Sequence, residues 1–176
     1  ELQTIFKNLL NHNMSLIKNK NKNYKKIIDE GYKIYINKSS LKKHSKKYGS
    51  GEYVTWTDKE YHHLGLQRQY LVVKSFQRFT EIWSLLERSY NKGLFNNLPK
   101  NIIITALGGG PGFECYTWKM FFNKYLPNIK CNFLVLDLED TWSEYVKLWG
   151  KEFKFFKWDI YKDDFYKTTQ VTKTDF

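Results

Sequence analysis

A glycine-rich segment is the part of this sequence whose residue types and spacing suit a bound ligand. Residues Leu107 to Glu114 read LGGGPGFE and stand between a predicted strand and a predicted helix. Glycine lets a backbone turn sharply and approach a ligand closely, and the amides at a helix N-terminus attract polar or anionic groups. The segment therefore predicts a nucleotide-type loop. A glycine-rich turn that holds no ligand is the alternative interpretation.

The spacing of the glycines narrows the class of ligand. Gly108, Gly110 and Gly112 form a G-x-G-x-G pattern, whereas a dinucleotide loop needs a glycine at the position of Phe113. A P-loop needs Gly-Lys-Ser/Thr after its glycines, and that sequence does not follow here. The pattern excludes a P-loop ATPase and disfavours an NAD enzyme.

Two acidic residues stand directly after later apolar runs. Asp137 ends the run FLVLD, and Asp159 follows FKFFKW. A carboxylate accepts hydrogen bonds without donating any, so it suits a ligand that presents hydroxyl protons. Glu139 and Asp140 follow Asp137 closely and are the fallback candidates for its role.

Alternating strands and helices must position these residues. Strands are predicted at 102–107, 133–137 and 153–158, and helices at about 113–126 and 141–148. Short apolar runs of this kind are typical of strands buried on both faces, and strand–helix–strand connections favour a parallel sheet. We predict an α/β fold, a Rossmann-like parallel sheet flanked by helices with an N-terminal helical extension. Residues 168–176 are predicted as loop, or as a fragment from beyond a gap in the sequence.

The loop and the acids together resemble the cofactor motifs of class I (Rossmann-like) S-adenosylmethionine-dependent methyltransferases, over roughly residues 52–160. The resemblance implies that the loop wraps the methionine and ribose portion of S-adenosylmethionine. It also implies that Asp137 binds the ribose hydroxyls and that Asp159 accepts from the adenine amino group, with Trp158 and Ile160 beside the ring. The cofactor residues it assigns are Leu107, Gly108, Gly109, Gly110, Pro111, Gly112, Glu114, Asp137, Leu138, Asp159 and Ile160.

One position departs from that family. Many members carry an acid two residues before the first glycine of the loop, where this chain has Ala106. Either Glu114 or backbone carbonyls would then hold the methionine amine. The GGGPG-x-E form of the loop, with LDLEDTW after it, resembles the eukaryotic large-subunit ribosomal RNA uridine-N3 methyltransferase family and its uncharacterised relatives. RNA, with ribosomal RNA as one candidate, is the acceptor this implies.

The N-terminal segment carries most of the positive charge. The chain has a formal net charge of +11, and residues 1–50 hold twelve lysines and three acidic residues. A basic arm suits a polyanion such as RNA, although AT-biased codon usage would give the same Lys/Asn-rich composition. We predict a loosely structured or partly helical arm. Within it, Tyr32, Ile34 and Ile36 alternate as in a short strand.

A helix is predicted after this arm. Thr57 and Glu60 form a capping box, and apolar residues then recur at three- and four-residue steps as far as Gly93. We therefore divide the chain into a basic arm (1–50), a helical N-terminal extension (51–98) and the S-adenosylmethionine-binding half of a methyltransferase domain (99–176). Only part of that family's sheet is visible in the sequence, and the missing initial Met suggests a longer protein.

Other features limit the function classes. Cys115 and Cys131 form no metal-binding pattern, so no metal site is predicted, and two lone thiols suggest a reducing intracellular compartment. No apolar run predicts a membrane span or a signal peptide. The expected function is an RNA methyltransferase. The alternatives are a catalytically idle methyltransferase-like structural or RNA-binding subunit and, less favoured, a small-molecule methyltransferase. No catalytic base can be named from the sequence.

Overall fold

The computed structural model describes residues 2–20, 23–36 and 56–176. The chain divides into two compact units, Glu1–Ser75 and Phe76–Phe176. None of the helices in the described part is long and apolar enough to span a membrane. The lysine run at 42–47, which belongs to the predicted basic arm, lies outside the described residues, as does the rest of 37–55.

The first unit contains α1 (Leu2–Lys20), α2 (Tyr24–Ile36), α3 (Asp58–Tyr61) and the beginning of α4 (Leu64–Asn91). The described arm residues are thus helical, and the short strand predicted at 32–36 is wrong. Gly31 of α2 packs so closely on Gly65 that an added Cβ would lie 1.9 Å from the Gly65 carbonyl carbon. This contact between helices decides the local structure, because a short alternating pattern fits either a strand or a helix.

The predicted capping box is confirmed, but the helix that it begins is short. The Glu60 amide donates to Thr57 Oγ1 at 3.3 Å, and the Thr57 amide donates to Glu60 Oε2 at 2.8 Å. The helix ends at Tyr61, and a new helix, α4, begins at Leu64. The His63 imidazole accepts from the Leu66 amide at 3.3 Å. A side chain that accepts a hydrogen bond from an amide of the first turn stabilises the start of a new helix. This explains why the predicted single helix is divided into α3 and α4.

The second unit is an α/β arrangement with a three-stranded parallel sheet. The strands are β1 (Asn101–Leu107), β2 (Lys130–Asp137) and β3 (Phe153–Lys157), in the order β1-β2-β3. The predicted strands and their parallel pairing are therefore confirmed, and the fold is consistent with a Rossmann-like sheet. Residues 133–136 of β2 are all buried, as expected of a central strand.

Helices flank this sheet and connect its strands. Helix α5 (Phe113–Tyr125) joins β1 to β2, as predicted. The helix predicted at 141–148 is instead three short turns: a 3-10 turn at Asp140–Trp142, α6 (Ser143–Val146), and a 3-10 turn at Lys147–Trp149. Trp142, Tyr145 and Trp149 are all buried in this connection. The irregular path of this connection buries three large aromatic rings.

The loop predicted at 168–176 is confirmed over residues 170–176, whereas Thr168 and Thr169 belong to a short helix. Helix α7 (Phe165–Thr169) begins at Asp164, whose carboxylate accepts from the Lys167 amide at 2.7 Å. The Asp175 amide then donates to the Ile103 carbonyl at 2.9 Å, and the Thr105 amide donates to the Phe176 carbonyl at 2.8 Å. These bonds lie on the edge of β1 opposite β2, where the last residues run beside the sheet without forming a strand of their own.

Candidate functional site

The glycine loop lies at the carboxyl end of β1, where the backbone turns into α5. Gly108, Gly110 and Gly112 have φ values of +65°, +50° and +81°, in the left-handed region that side chains disfavour. Gly109 is required for space, because an added Cβ would lie 2.9 Å from Val135 Cγ1. The loop conformation therefore depends on all of these glycines.

Asp137, at the carboxyl end of β2, anchors this loop. Its Oδ2 accepts from the Gly110 amide at 2.8 Å, and its Oδ1 accepts from the Glu139 amide at 2.9 Å. Burial raises the pKa of this carboxyl, although the amide hydrogen bonds partly oppose that rise. Each carboxylate oxygen has a second lone pair, so Asp137 can hold the loop and still accept from ligand hydroxyls.

A cavity of about 290 Å³ opens beside Asp137. It lies at the carboxyl ends of the strands, where parallel α/β sheets bind ligands. Its walls include exposed apolar side chains, among them Leu107 (57%), Ile160 (61%) and Tyr161 (94%). An apolar slot edged by carboxylates suits a flat heterocycle with a sugar attached. The lining residues are Leu107, Gly108, Asp137, Leu138, Trp158, Asp159, Ile160 and Tyr161.

A second cavity, of about 210 Å³, is lined by Leu107 and Gly108 as well. Glu114, in the first turn of α5, supplies its carboxylate, and burial raises the pKa of that group above its ordinary value. Burial also raises the pKa of the neighbouring Cys115 thiol, so this cysteine stays protonated and is a poor nucleophile. The lining residues are Ile104, Thr105, Ala106, Leu107, Gly108, Gly109, Glu114, Cys115 and Trp118.

Asp159 differs from the other two acids of the site. Its Oδ1 accepts from the Tyr161 amide at 3.0 Å, and its Oδ2 lies 2.8 Å from Lys162 Nζ. The Lys162 ammonium lowers the pKa of this carboxyl. The turn is closed further by the Trp158 indole, which donates to the Asp163 carbonyl at 3.1 Å. Trp158 is buried against Leu134 and Leu136, so it is core as well as cavity wall.

The structure brings most of the predicted cofactor residues together. Those that line neither of the two cavities are Gly110, Pro111 and Gly112, which are buried within the loop. The sequence missed Tyr161 and Trp118 as cavity residues. Both stood next to predicted ones, since Tyr161 follows Ile160 and Trp118 lies one helical turn after Glu114. It also missed Trp149. Trp149 contacts the loop across 38 positions, and no local pattern in the sequence predicts that contact.

No protein-family model, no curated protein and no solved structure matches this chain. The assignment of function therefore depends on the residues themselves. What they define is an α/β unit whose glycine loop separates two cavities at the carboxyl edge of a parallel sheet, with a carboxylate in each.

Proposed function

We propose that this chain binds S-adenosylmethionine at the carboxyl edge of its sheet and acts as an S-adenosylmethionine-dependent methyltransferase of the class I type, with RNA as the acceptor. The observation that carries the proposal is the pair of cavities that share Leu107 and Gly108. One suits an adenosine and the other a short cationic chain. Bound S-adenosylmethionine supplies an electrophilic methyl group on a sulfonium.

The larger cavity supports the adenosine half. Asp137 is positioned to accept from ribose hydroxyls, and Leu138 and Ile160 offer apolar faces to a purine ring. Asp159 stands at the same cavity as an acceptor for the exocyclic amino group. An adenine donor must share this carboxylate with Lys162, so Asp159 contributes less than Asp137 in this proposal.

The smaller cavity supports the methionine half, and Glu114 provides the argument. A carboxylate with a raised pKa in a buried cavity favours a cationic partner, which would stabilise its charged form. The same carboxylate repels a phosphate. Dinucleotides place their pyrophosphate at this helix N-terminus, so Glu114 disfavours them and favours an ammonium and a sulfonium. Ala106 leaves Glu114 as the acid on this side of the loop.

The pairing at the free edge of β1 is a further support. In doubly wound sheets of order 3-2-1-4, the strand beside β1 is the fourth, and it runs parallel to β1. The backbone of Asp175 and Phe176 lies at that position and is hydrogen-bonded to Ile103 and Thr105, although it forms no strand. The observed order is therefore compatible with the methyltransferase class.

The lysines of the first two helices support RNA as the acceptor. Six lysines, all exposed, lie on α1 and α2, against the two acidic residues Asp29 and Glu30. Lysines on exposed helix faces can neutralise phosphates, and binding of that kind weakens steeply with salt. The lysines are Lys7, Lys18, Lys20, Lys25, Lys26 and Lys33.

Calorimetry with four ligands tests the cofactor. We expect S-adenosylmethionine and S-adenosylhomocysteine to bind, 5′-methylthioadenosine to bind more weakly because it lacks the amino-acid chain, and NAD to show no binding. If neither S-adenosyl compound binds the full chain, the proposal is wrong. Transfer of labelled methyl groups to total RNA tests the enzyme. Binding without transfer to any RNA would favour the alternative of an idle methyltransferase-like subunit.

A further inference from the structure

Trp149 lines neither of the two cavities described above, yet its side chain contacts the glycine loop from within the core. We propose that Trp149 is a positioning residue that holds the second half of the loop in its ligand-binding conformation. Its consequence for affinity depends on the proposed S-adenosylmethionine site. Its effect on the loop does not.

The indole of Trp149 meets the loop at two points. Its Nε1 donates to the Pro111 carbonyl at 2.7 Å in a fully buried hydrogen bond. The same ring lies against Gly112, where an added Cβ would be 3.3 Å from Trp149 Nε1. The ring also stacks on Tyr116 of α5, with centroids 4.2 Å apart. Trp149 therefore bonds the loop and fills the space that Gly112 leaves.

The position of Trp149 is itself fixed from the other side. Its backbone carbonyl accepts from Lys119 Nζ at 2.9 Å, and this ammonium lies 2.6 Å from Glu152 Oε1. Lys119 belongs to α5, the helix that the loop begins. A buried ring held through both its side chain and its backbone has few alternative rotamers.

The first half of the loop does not need this residue. The Gly109 amide donates to the Leu136 carbonyl at 3.0 Å, and the Gly110 amide donates to Asp137, so β2 anchors that half. Pro111 has no amide proton, so at this residue only the carbonyl can be anchored. The Trp149 indole N–H donates a hydrogen bond to that carbonyl.

A glycine-rich loop without such anchors would occupy many conformations, and a ligand would have to order it on binding. Ordering each backbone residue costs conformational entropy. A loop that is already held binds more tightly, because this cost is met on folding and not on binding. The Trp149–Pro111 hydrogen bond thus acts on affinity through the loop, without contact between Trp149 and either cavity.

Trp149→Phe tests the inference, because phenylalanine keeps a ring but removes the indole donor. Trp83→Phe is the matched control, since Trp83 packs on Phe121 and Tyr125, away from the loop. We expect amide hydrogen exchange of Gly112 to rise about tenfold in Trp149→Phe and to be unchanged in Trp83→Phe, whereas exchange of Gly110, which Asp137 holds, should change in neither variant. Affinity for S-adenosylhomocysteine should fall about five- to tenfold in Trp149→Phe alone, even where both variants have the same Tm.

Two outcomes would overturn the inference. One is unchanged loop exchange in a folded Trp149→Phe variant, and the other is an equal loss of affinity in Trp83→Phe. If Trp149→Phe does not fold, Lys119→Met releases the Trp149 carbonyl more mildly, with Lys124→Met on the same helix as control, and the same loop exchange decides. A wild-type chain that binds no S-adenosylhomocysteine refutes the proposed function, while the exchange measurement still tests Trp149.

Discussion

The two ends of the parallel sheet both have cavities, but the size of a cavity does not indicate which end is the candidate ligand site. The amino end has the larger groove, about 440 Å³, whereas the two cavities at the carboxyl end measure about 290 and 210 Å³. Lysine and asparagine residues form half of the lining of the amino-end groove, and Glu152 is its one carboxylate. Of these two ends, the carboxyl end is the one that combines a left-handed glycine loop with partly buried carboxylates whose pKa is raised.

The direction in which the carboxylate pKa is shifted differs between the two ends of the sheet. Burial would raise the pKa of Glu152 at the amino end, but the Lys119 ammonium at 2.6 Å more than offsets it, and the pKa is lowered. Burial raises the pKa of Glu114 and Asp137 at the carboxyl end. A carboxylate whose charge is matched within the fold is structural, whereas one left with a raised pKa beside a cavity is a candidate for ligand binding.

Asp159 shows that the division is not absolute. It lies at the carboxyl end, but Lys162 lowers its pKa as Lys119 lowers that of Glu152. A ligand at this cavity therefore gains most from Asp137 and less from Asp159. The comparison thus ranks the acids of the site as well as the two ends of the sheet.

The largest effect is expected from Asp137→Ala. This change removes the acceptor for the Gly110 and Glu139 amides as well as the proposed ribose acceptor, at about 1–3 kcal/mol for each group left unpaired. Calorimetry should show S-adenosylhomocysteine affinity lower by on the order of 100-fold. Asp140→Ala is the control, since this exposed carboxylate faces Lys157 at 3.5 Å. Equal affinity in the two variants would mean that the wrong acid has been chosen.

An intermediate effect is expected from Glu114→Gln, which should lower the affinity for the cofactor but raise the stability of the fold at neutral pH. Affinity for S-adenosylmethionine should fall about tenfold, with that for 5′-methylthioadenosine unchanged. Because the folded-state pKa is raised, the stability contribution of Glu114 is present below its unfolded value near 4.5 and lost as pH rises. The variant should therefore have the higher Tm at pH 7, and the gain should vanish at acidic pH. Glu144→Gln, on the surface, is the matched control; a lower Tm for Glu114→Gln at pH 7 would contradict the assignment.

The smallest effect is expected from Glu152→Gln at the amino end. Its folded-state pKa is lowered, so its contribution is present above the unfolded value and lost as pH falls through the folded one. Thermal denaturation at pH 7 should show a loss of less than about 1 kcal/mol that disappears in acid, because the ion pair is partly exposed. Cofactor affinity should not change more than about twofold, because glutamine keeps an oxygen that can accept from Lys119 and Lys119 still donates to the Trp149 carbonyl. A stabilised Glu152→Gln variant would remove the distinction between the two ends.

The sequence predicted the sheet and several residues that line its two carboxyl-end cavities because the signals involved are local. Apolar runs predict buried strands, and a glycine cluster between strand and helix predicts a turn with left-handed residues. Asp137 and Asp159 could be singled out because each follows such a run. The strand predicted at 32–36 failed for the opposite reason. Its pattern is short, and the contact of Gly31 with Gly65, far away in the sequence, decided for a helix.

The sequence by itself determined which residues reach the carboxyl edge of the sheet, since strand period and turn chemistry depend on near neighbours. Only the tertiary structure decided what those residues do there. Gly110 bonds Asp137 across 27 positions, and Trp149 bonds Pro111 across 38. The charges that act on Glu114, among them those of Arg78, Glu81 and Asp137, likewise come from segments distant in the chain. The glycine loop can therefore be predicted from the sequence. The contacts that hold it and the charge of its cavities arise only when the strands and their connections pack together.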